Sequence, residues 1–235
     1  DTQGVERAPG KSFFWEGRYH EDMNTRDTIV TELNVFEKFD PKIPENYSEM
    51  PYLFLANIDP ALQLKVLDGM KKPEFVLLDT MNLWINIKKD ELAEVFKRTD
   101  CAVLNDEEIK QYTGKTNLIK GAEEILKAGP EYVIIKKGEH GAAIIGRGGL
   151  HFSLPSYPVE DIVDPTGAGD TFAGAFIGYT ARQGKINDDV LKNALACGNA
   201  AASFTVEGFS VEMLQNLSAE KIEKRIEKIR QMSAF

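Results

Sequence analysis

The sequence predicts an α/β fold, a mainly parallel sheet with helices on both faces. Three observations predict it. From Tyr52 onward, short apolar runs alternate with stretches of helical period, the strand–helix rhythm of a parallel sheet. The runs Phe75–Leu78, Cys101–Leu104 and Tyr132–Ile135 are apolar at every position, as strands buried on both faces must be. Finally, Asp164–Ala175 reads as a strand end, a tight glycine turn and the start of a buried helix. Ligands of such sheets bind at the carboxyl ends of the strands, and most candidate groups below fall at such an end or turn.

Residues 1–10 read as loop. Lys11–His20 and Thr28–Phe36 read as two strands joined by the polar loop Glu21–Asp27, and Thr28–Val35 has the mixed alternation of a sheet with one wet face. Tyr52–Asn57 is a short apolar strand. Asp59 then caps a helix that has Pro60 at its first position and Leu62, Val66, Leu67 and Met70 on its apolar side. Phe75–Asp79 is a buried strand, Lys89–Thr99 a helix and Cys101–Leu104 a strand. Helices follow at Asp106–Tyr112 and Leu118–Ala128. Tyr132–Lys136 is a strand, and Ala142–Ile145 with His151–Leu154 forms a hairpin around Gly146–Gly149. The chain closes with helices at Gly169–Arg182, Asn187–Val206 and Ala219–Met232. The last carries Ile222, Ile226 and Ile229 on one stripe and reads as a surface helix docked on the sheet.

Composition narrows the function classes. The chain has 235 residues, enough for one sizeable core, and its 43% hydrophobic and 28% charged residues suit a soluble globular protein. A net charge of −9 argues against general binding to nucleic acid or an acidic membrane. Cys101 and Cys197 are too few for a disulfide framework and sit in apolar runs, where they read as small buried residues. The sequence has no apolar run of about 18 residues and no signal-peptide pattern. The cytoplasm is therefore the expected compartment.

The stretch Asp164–Ala175 carries the strongest chemistry. Pro165 ends the strand before it, because proline cannot donate to a ladder. Gly167 and Gly169 allow unusual backbone angles and close approach of a ligand. Phe172, Ala175, Phe176 and Tyr179 then follow a helical period. The first-turn N–H groups thus lie beside the glycines, where an anion, phosphate above all, is favoured. Asp170 has two readings. It could complement the helix dipole, or it could take a proton beside a bound phosphate that would otherwise repel it. Two Walker-like decoys fail. Gly10-Lys11-Ser12 has the wrong spacing from Gly4 and feeds no helix, and Gly114-Lys115-Thr116 has Ile109 where the first glycine should stand.

Asp164-Pro165-Thr166-Gly167-Ala168-Gly169-Asp170 and its continuation to Ile177 resemble the second signature of the ribokinase/PfkB family of carbohydrate and nucleoside kinases. The resemblance implies a ribokinase-like three-layer α/β/α core over residues 41–235, with residues 1–40 forming part of a small β lid and its connecting strands. It implies Asp170 as catalytic base, and Gly167, Ala168 and Gly169 as an anion hole for the transferred phosphoryl. The family's N-terminal Gly-Gly sugar motif has no counterpart here, and the sequence is expected to start partway through the domain.

Other positions follow by the same resemblance, each beside a plainer reading. Asn105 and Glu108 match the Asn-x-x-Glu motif that organises Mg²⁺ through its waters, and Asn105 is also a good helix cap. Lys136 and Gly138 lie in a turn that approaches the ATP phosphates, and Gly138 equally suits a plain turn. His140, like His20 and His151, has no partner motif. Asn199, inside a small-sided helix, matches a residue near the adenine and ribose, or makes a helix–helix hydrogen bond. Gly208 reads as the C′ cap of that helix. Its loop, with the backbone around Asp164 and Thr166, matches a monovalent-cation (K⁺) site. Asp79 could cap a helix or face a phosphate or cation. The implied cofactors are ATP and Mg²⁺, and the acceptor a sugar or sugar-like alcohol. A nucleoside acceptor is the rival, with the aromatic group Phe13, Phe14, Trp15 and Tyr19 able to stack on a base. A nucleotide-binding regulatory protein without turnover is the rival from another class. A homodimer through the lid is the implied assembly.

Overall fold

The computed structural model describes residues 1–21, 23 and 26–234. A two-stranded antiparallel ribbon is formed by β1 (Phe14–Tyr19) and β2 (Arg26–Glu32). A six-stranded sheet is formed by β3 (Tyr52–Leu55), β4 (Phe75–Asp79), β5 (Cys101–Asn105), β6 (Tyr132–Lys136), β7 (Ala142–Gly146) and β8 (His151–Leu154), in that spatial order. β3 to β6 are parallel, and β7 and β8 turn back as an antiparallel hairpin.

Strand order that equals chain order dictates where the helices go. Crossovers between parallel strands are right-handed, so successive ones that all advance in one direction lie on one face. That face receives α1 (Pro60–Gly69), α2 (Asn82–Ile87), α3 (Lys89–Phe96), α4 (Asp106–Thr113) and α5 (Leu118–Ala128). Their Leu67, Ile85, Leu92, Phe96, Ile109 and Ile125 pack with Val76, Leu78, Ala102, Leu104, Val133 and Ile135 of the sheet. The other face waits for helices that follow the last strand: α6 (Ala168–Gln183), α7 (Asp188–Thr205), the short α8 (Glu212–Gln215) and α9 (Ala219–Ser233). There Phe172, Phe176, Leu191 and Leu195 pack on Phe75, Leu77, Cys101, Val103 and Ile134. Neighbouring strand residues go to opposite cores, as a period of two requires.

The placement of α6 depends on one glycine. A Cβ at Gly198 of α7 would lie 2.8 Å from the Phe172 carbonyl oxygen. The Thr205 hydroxyl donates to that of Thr171 at 3.0 Å and ties the two helices near the start of α6. Gly198→Val is expected to push α6 off α7, at a cost of about 1–3 kcal/mol for an overpacked core. Thermal melting reads it, and a midpoint equal to the wild type's would contradict this account of the contact.

Several elements depart from the sequence expectation. β1 is shorter than Lys11–His20, and β2 ends at Glu32 rather than Phe36. Asn34 adopts φ 51°, a left-handed conformation that asparagine tolerates better than most residues, and opens a 3₁₀ turn over Asn34–Lys38 that takes Val35 and Phe36 out of the ladder. The loop expected over Glu21–Asp27 falls partly outside the described residues, at Asp22, Asn24 and Thr25, and β2 begins within it. The sequence signals no helix at α2, which buries only Ile85. The expected strand end at Asp164 does not form, because β8 stops at Leu154 and Pro155, Pro158 and Pro165 deny the segment ladder donors. The N–H groups of Val163 and Asp164 instead donate to Val206 O at 2.8 and 3.3 Å. α9 docks on α7 more than on the sheet: Arg225 lies over the rings of Tyr157 and Phe204, and its Nη2 donates to both carboxylate oxygens of Glu207 at 2.8 and 2.6 Å.

Candidate active site

The site lies where the carboxyl ends of β4, β5 and β6 meet the first turn of α6. Asp79 ends β4 and Lys136 ends β6. By strand alternation Asp79 shares a face with Phe75 and Leu77, and Lys136 with Ile134, so both lie on the α6 side. The Lys136 ammonium is 3.4 Å from Asp79 Oδ1. It is also 3.1 Å from where a Cβ on Gly169 would stand.

That last distance explains Gly169. The residue is helical, without a positive φ, so its need is for space beside the ammonium rather than for backbone freedom. Conformational freedom matters at Gly167, which caps α6 with φ 82°. The turn also narrows the expected anion hole. The Ala168 N–H is spent on Pro165 O at 3.1 Å. Among the described residues no loop carbonyl takes the N–H groups of Gly169 or Asp170, which point out of the first turn. Asp170 is exposed in that turn.

Charge concentrates here. Burial pushes the Asp79 carboxyl above the usual carboxylate range, against the pull of Lys136 and with the help of nearby Asp170. For Lys136, burial pulls the ammonium down, but Asp79, Glu108 and Asp170 together hold it above the ordinary lysine value. A charged ammonium therefore stands among three carboxylates at the positive end of a helix.

Asn105 and Glu108 lie beside this group as a reciprocal capping box. The Glu108 N–H donates to Asn105 Oδ1 at 2.8 Å, and the Asn105 N–H donates to Glu108 Oε2 at 2.7 Å. The plainer reading of Asn105 is therefore realised. An amide oxygen and a carboxylate are donor types that suit Mg²⁺ held mostly through water. Among the described residues no group of three or more His, Cys, Asp or Glu could form a direct cage. Asn105→Ala is expected to cost about 1 kcal/mol, the usual worth of such a cap. Thermal melting checks this, and an unchanged midpoint would sink it.

The other expected residues each have a local structural role. Gly138 (φ 53°) opens a short exposed 3₁₀ turn, and Gly141 (φ 87°) closes it against Leu154 O. Asn199 is buried, and its amide donates to Pro155 O at 3.1 Å, so its partner is a loop carbonyl rather than another helix. Gly208 has no positive φ and is not the expected αL cap. It is small because a Cβ there would meet Met213 Cγ at 2.6 Å. Asp164 Oδ1 accepts the Thr166 N–H at 2.9 Å, and this loop adjoins the end of α7 through Val206.

Two further residues make contacts near the site that the sequence reading does not foresee. Tyr19 of β1 shares a 3.0 Å hydrogen bond with Thr166 Oγ1, which seats the ribbon on the turn that opens α6. An aromatic at the end of a strand does not announce its partner. Gln63 of α1 is 1% exposed and donates to Ala56 O and Asp79 O, at 2.9 and 3.1 Å, joining the ends of β3 and β4. A glutamine on the buried side of a helix is a signal that could have been read.

The model of the pfkB family of carbohydrate kinases matches residues 63–215, which include the ends of β4, β5 and β6 and the whole α6 turn. The chain belongs to that family. Among curated members, cytidine kinase of Thermococcus kodakarensis is 34% identical over 188 residues, covering 77% of this chain and 66% of that protein. The chain thus spans about two thirds of that relative. Among solved pfkB-type folds, Arabidopsis thaliana ribokinase complexed with ribose and ATP aligns with TM-score 0.72 at 21% identity, over 93% of this chain and 70% of that one. A putative ribokinase II from E. coli in complex with ATP and Mg²⁺ aligns with TM-score 0.67 at 23% identity, over 87% and 68%. These two likenesses establish the ribokinase-like fold. Among the described residues no helix is long and apolar enough to cross a membrane.

Proposed function

We propose that this chain carries the phosphoryl-transfer machinery of a cytoplasmic kinase that moves the γ-phosphoryl of ATP to a hydroxyl of a sugar or nucleoside. The observation that carries the reading is the grouping of Asp170, the Gly169 N–H and the Lys136 ammonium at one helix start. In this reading the Asp170 carboxylate takes the proton of the attacking hydroxyl as its oxygen bonds to the γ-phosphorus. The bond to the bridging oxygen breaks, and ADP leaves. Of the Gly167–Asp170 turn, the N–H groups of Gly169 and Asp170, with the Lys136 ammonium, stabilise the charge on the equatorial oxygens. Mg²⁺, held near Asn105 and Glu108 through water, would neutralise phosphate charge. Gly138 and Asn199 belong to the nucleotide side of the site by family resemblance. Asp164, Thr166 and the Gly208 loop belong, on the same ground, to a K⁺ site.

In this reading residues 1–40 supply a lid and residues 41–235 the catalytic core. The Tyr19–Thr166 contact supports the lid, since it brings the ribbon onto the turn ahead of Asp170. Phe14, Ile29 and Leu33 are 48%, 50% and 45% exposed on the ribbon, which supports pairing of two copies through it. A nucleoside acceptor is favoured over a free sugar by two observations. The curated relative above is a cytidine kinase. Trp15 and Tyr19 also lie half-buried on one face of β1, the face that meets Thr166, where an aromatic can stack on a base.

Thermal-shift titration with Mg-ATP plus cytidine, adenosine, ribose or fructose phosphate tests this. A ligand that binds only the native state raises the midpoint in proportion to RT ln(1 + [L]/Kd). A nucleoside is expected to give the larger shift. A shift with ribose and none with nucleosides would return the reading to a sugar kinase.

A further inference from the structure

The Lys136 ammonium has no evident reason to stand where it does. Lys136 is level with Asn105 in the β5–β6 register, whereas Asp79 pairs with Val103 on the far side of β5. The lysine chain therefore leans across the end of β5, toward a strand that lies two spacings away, about 9–10 Å. A lysine beside a sheet edge ordinarily extends its head into water. This one stops at the first turn of α6, whose dipole repels a cation. Two features hold it. Gly169 leaves the space, and Asp79 supplies the counter-charge.

Asp79 is itself fixed. It is 4% exposed, its Oδ1 accepts the Thr80 N–H at 2.9 Å as well as the ammonium, and its carbonyl accepts the Gln63 amide at 3.1 Å. It caps no helix, because α2 begins at Asn82 without a side-chain cap. We propose that Asp79 is a positioning residue of the phosphate site, which draws the Lys136 ammonium across β5 and holds it beside the Gly169 N–H in the first turn of α6. Ammonium and helix start then present one positive locus to an incoming phosphate, although the chain as a whole is acidic. The inference rests on the kinase reading above and adds a residue that acts only through Lys136.

The test is a double-mutant cycle on the protein, with kcat and KM for ATP and for an acceptor that the wild type uses. Lys136→Met is expected to lower kcat/KM for ATP by about 10²–10³-fold, as for loss of one electrostatic donor. Asp79→Asn is expected to lower it at least tenfold and to leave the acceptor KM unchanged. In the double variant Asp79→Asn is expected to add nothing to Lys136→Met. A residue with a merely structural role would give losses that multiply, and that result overturns the proposal, as does an Asp79→Asn variant within twofold of wild type. Where Asp79→Asn does not fold, Asp79→Leu/Lys136→Met against Lys136→Met alone makes the same comparison, since it removes both charges together. Equal values support the proposal and a further loss overturns it. Acceptor-dependent ADP release by the wild type is measured in parallel. If the wild type binds ATP and releases no ADP with any acceptor, the kinase reading has failed and this inference falls with it. If the wild type turns over while the Asp79 and Lys136 losses multiply, the inference alone has failed.

Discussion

Asp170→Asn is expected to lower kcat by about 10²–10⁴-fold, the usual worth of a general base, with little change in KM for ATP. The substitution keeps the size and shape of the side chain and removes its ability to take a proton. Asp170 is exposed in the first turn of α6, so the fold does not depend on its charge and the melting temperature is expected to stay near that of the wild type. Steady-state kinetics with saturating acceptor read the loss directly. A variant with near-normal turnover would show that Asp170 serves the helix dipole alone, the plainer of its two readings.

Lys136→Met carries the second large effect, and it acts on both activity and stability. Loss of the ammonium removes charge stabilisation worth about 10²–10³ in rate. It also leaves Asp79 buried without its counter-charge. Breaking a buried pair in this way costs about 3–5 kcal/mol when the remaining group must stay ionised. Asp79 has an escape, because burial already holds its carboxyl above the ordinary range and loss of Lys136 pushes it higher. The sign of the pH dependence follows. An acid whose folded pKa exceeds its unfolded value stabilises the fold fully below the unfolded value, and that stabilisation is lost as pH rises through the folded value. The variant is therefore expected to lie nearest the wild type in melting temperature at about pH 4–5 and to fall behind as pH rises toward about 8. An equal deficit at both ends of this range would contradict the view that Asp79 is the group left unpaired.

The fold was legible where one physical rule dominates. The runs at β4, β5 and β6 are apolar at every position, and only a strand covered on both faces tolerates that. α5 has the bounds expected from its helical period, Leu118–Ala128. The ribbon was less legible, because Asn34 breaks β2 through a backbone conformation that alternation does not encode. The irregular segment ahead of α6 was misread as a strand end, since its partner is the carbonyl of Val206, far away in sequence.

The site divides along the same line. Asp170, Gly167 and the Asn105–Glu108 box are local patterns of residue type and spacing, and the sequence displays them. The Asp79–Lys136 pair and the Tyr19–Thr166 contact bridge 57 and 147 residues, and nothing local marks the two residues of either pair as partners. Gly169 shows both cases in one residue. Its presence in the turn was read correctly and its reason was not, because that reason is the end of a side chain on β6.

The central claim is phosphoryl transfer at the start of α6, and ADP release from Mg-ATP tests it most directly. The protein is assayed against cytidine, adenosine, ribose and sugar phosphates, with Asp170→Asn alongside. The expected result is release that depends on one class of acceptor and is lost in the variant. Binding of ATP without acceptor-dependent release across the panel would contradict the claim and leave a nucleotide-binding protein that does not turn over.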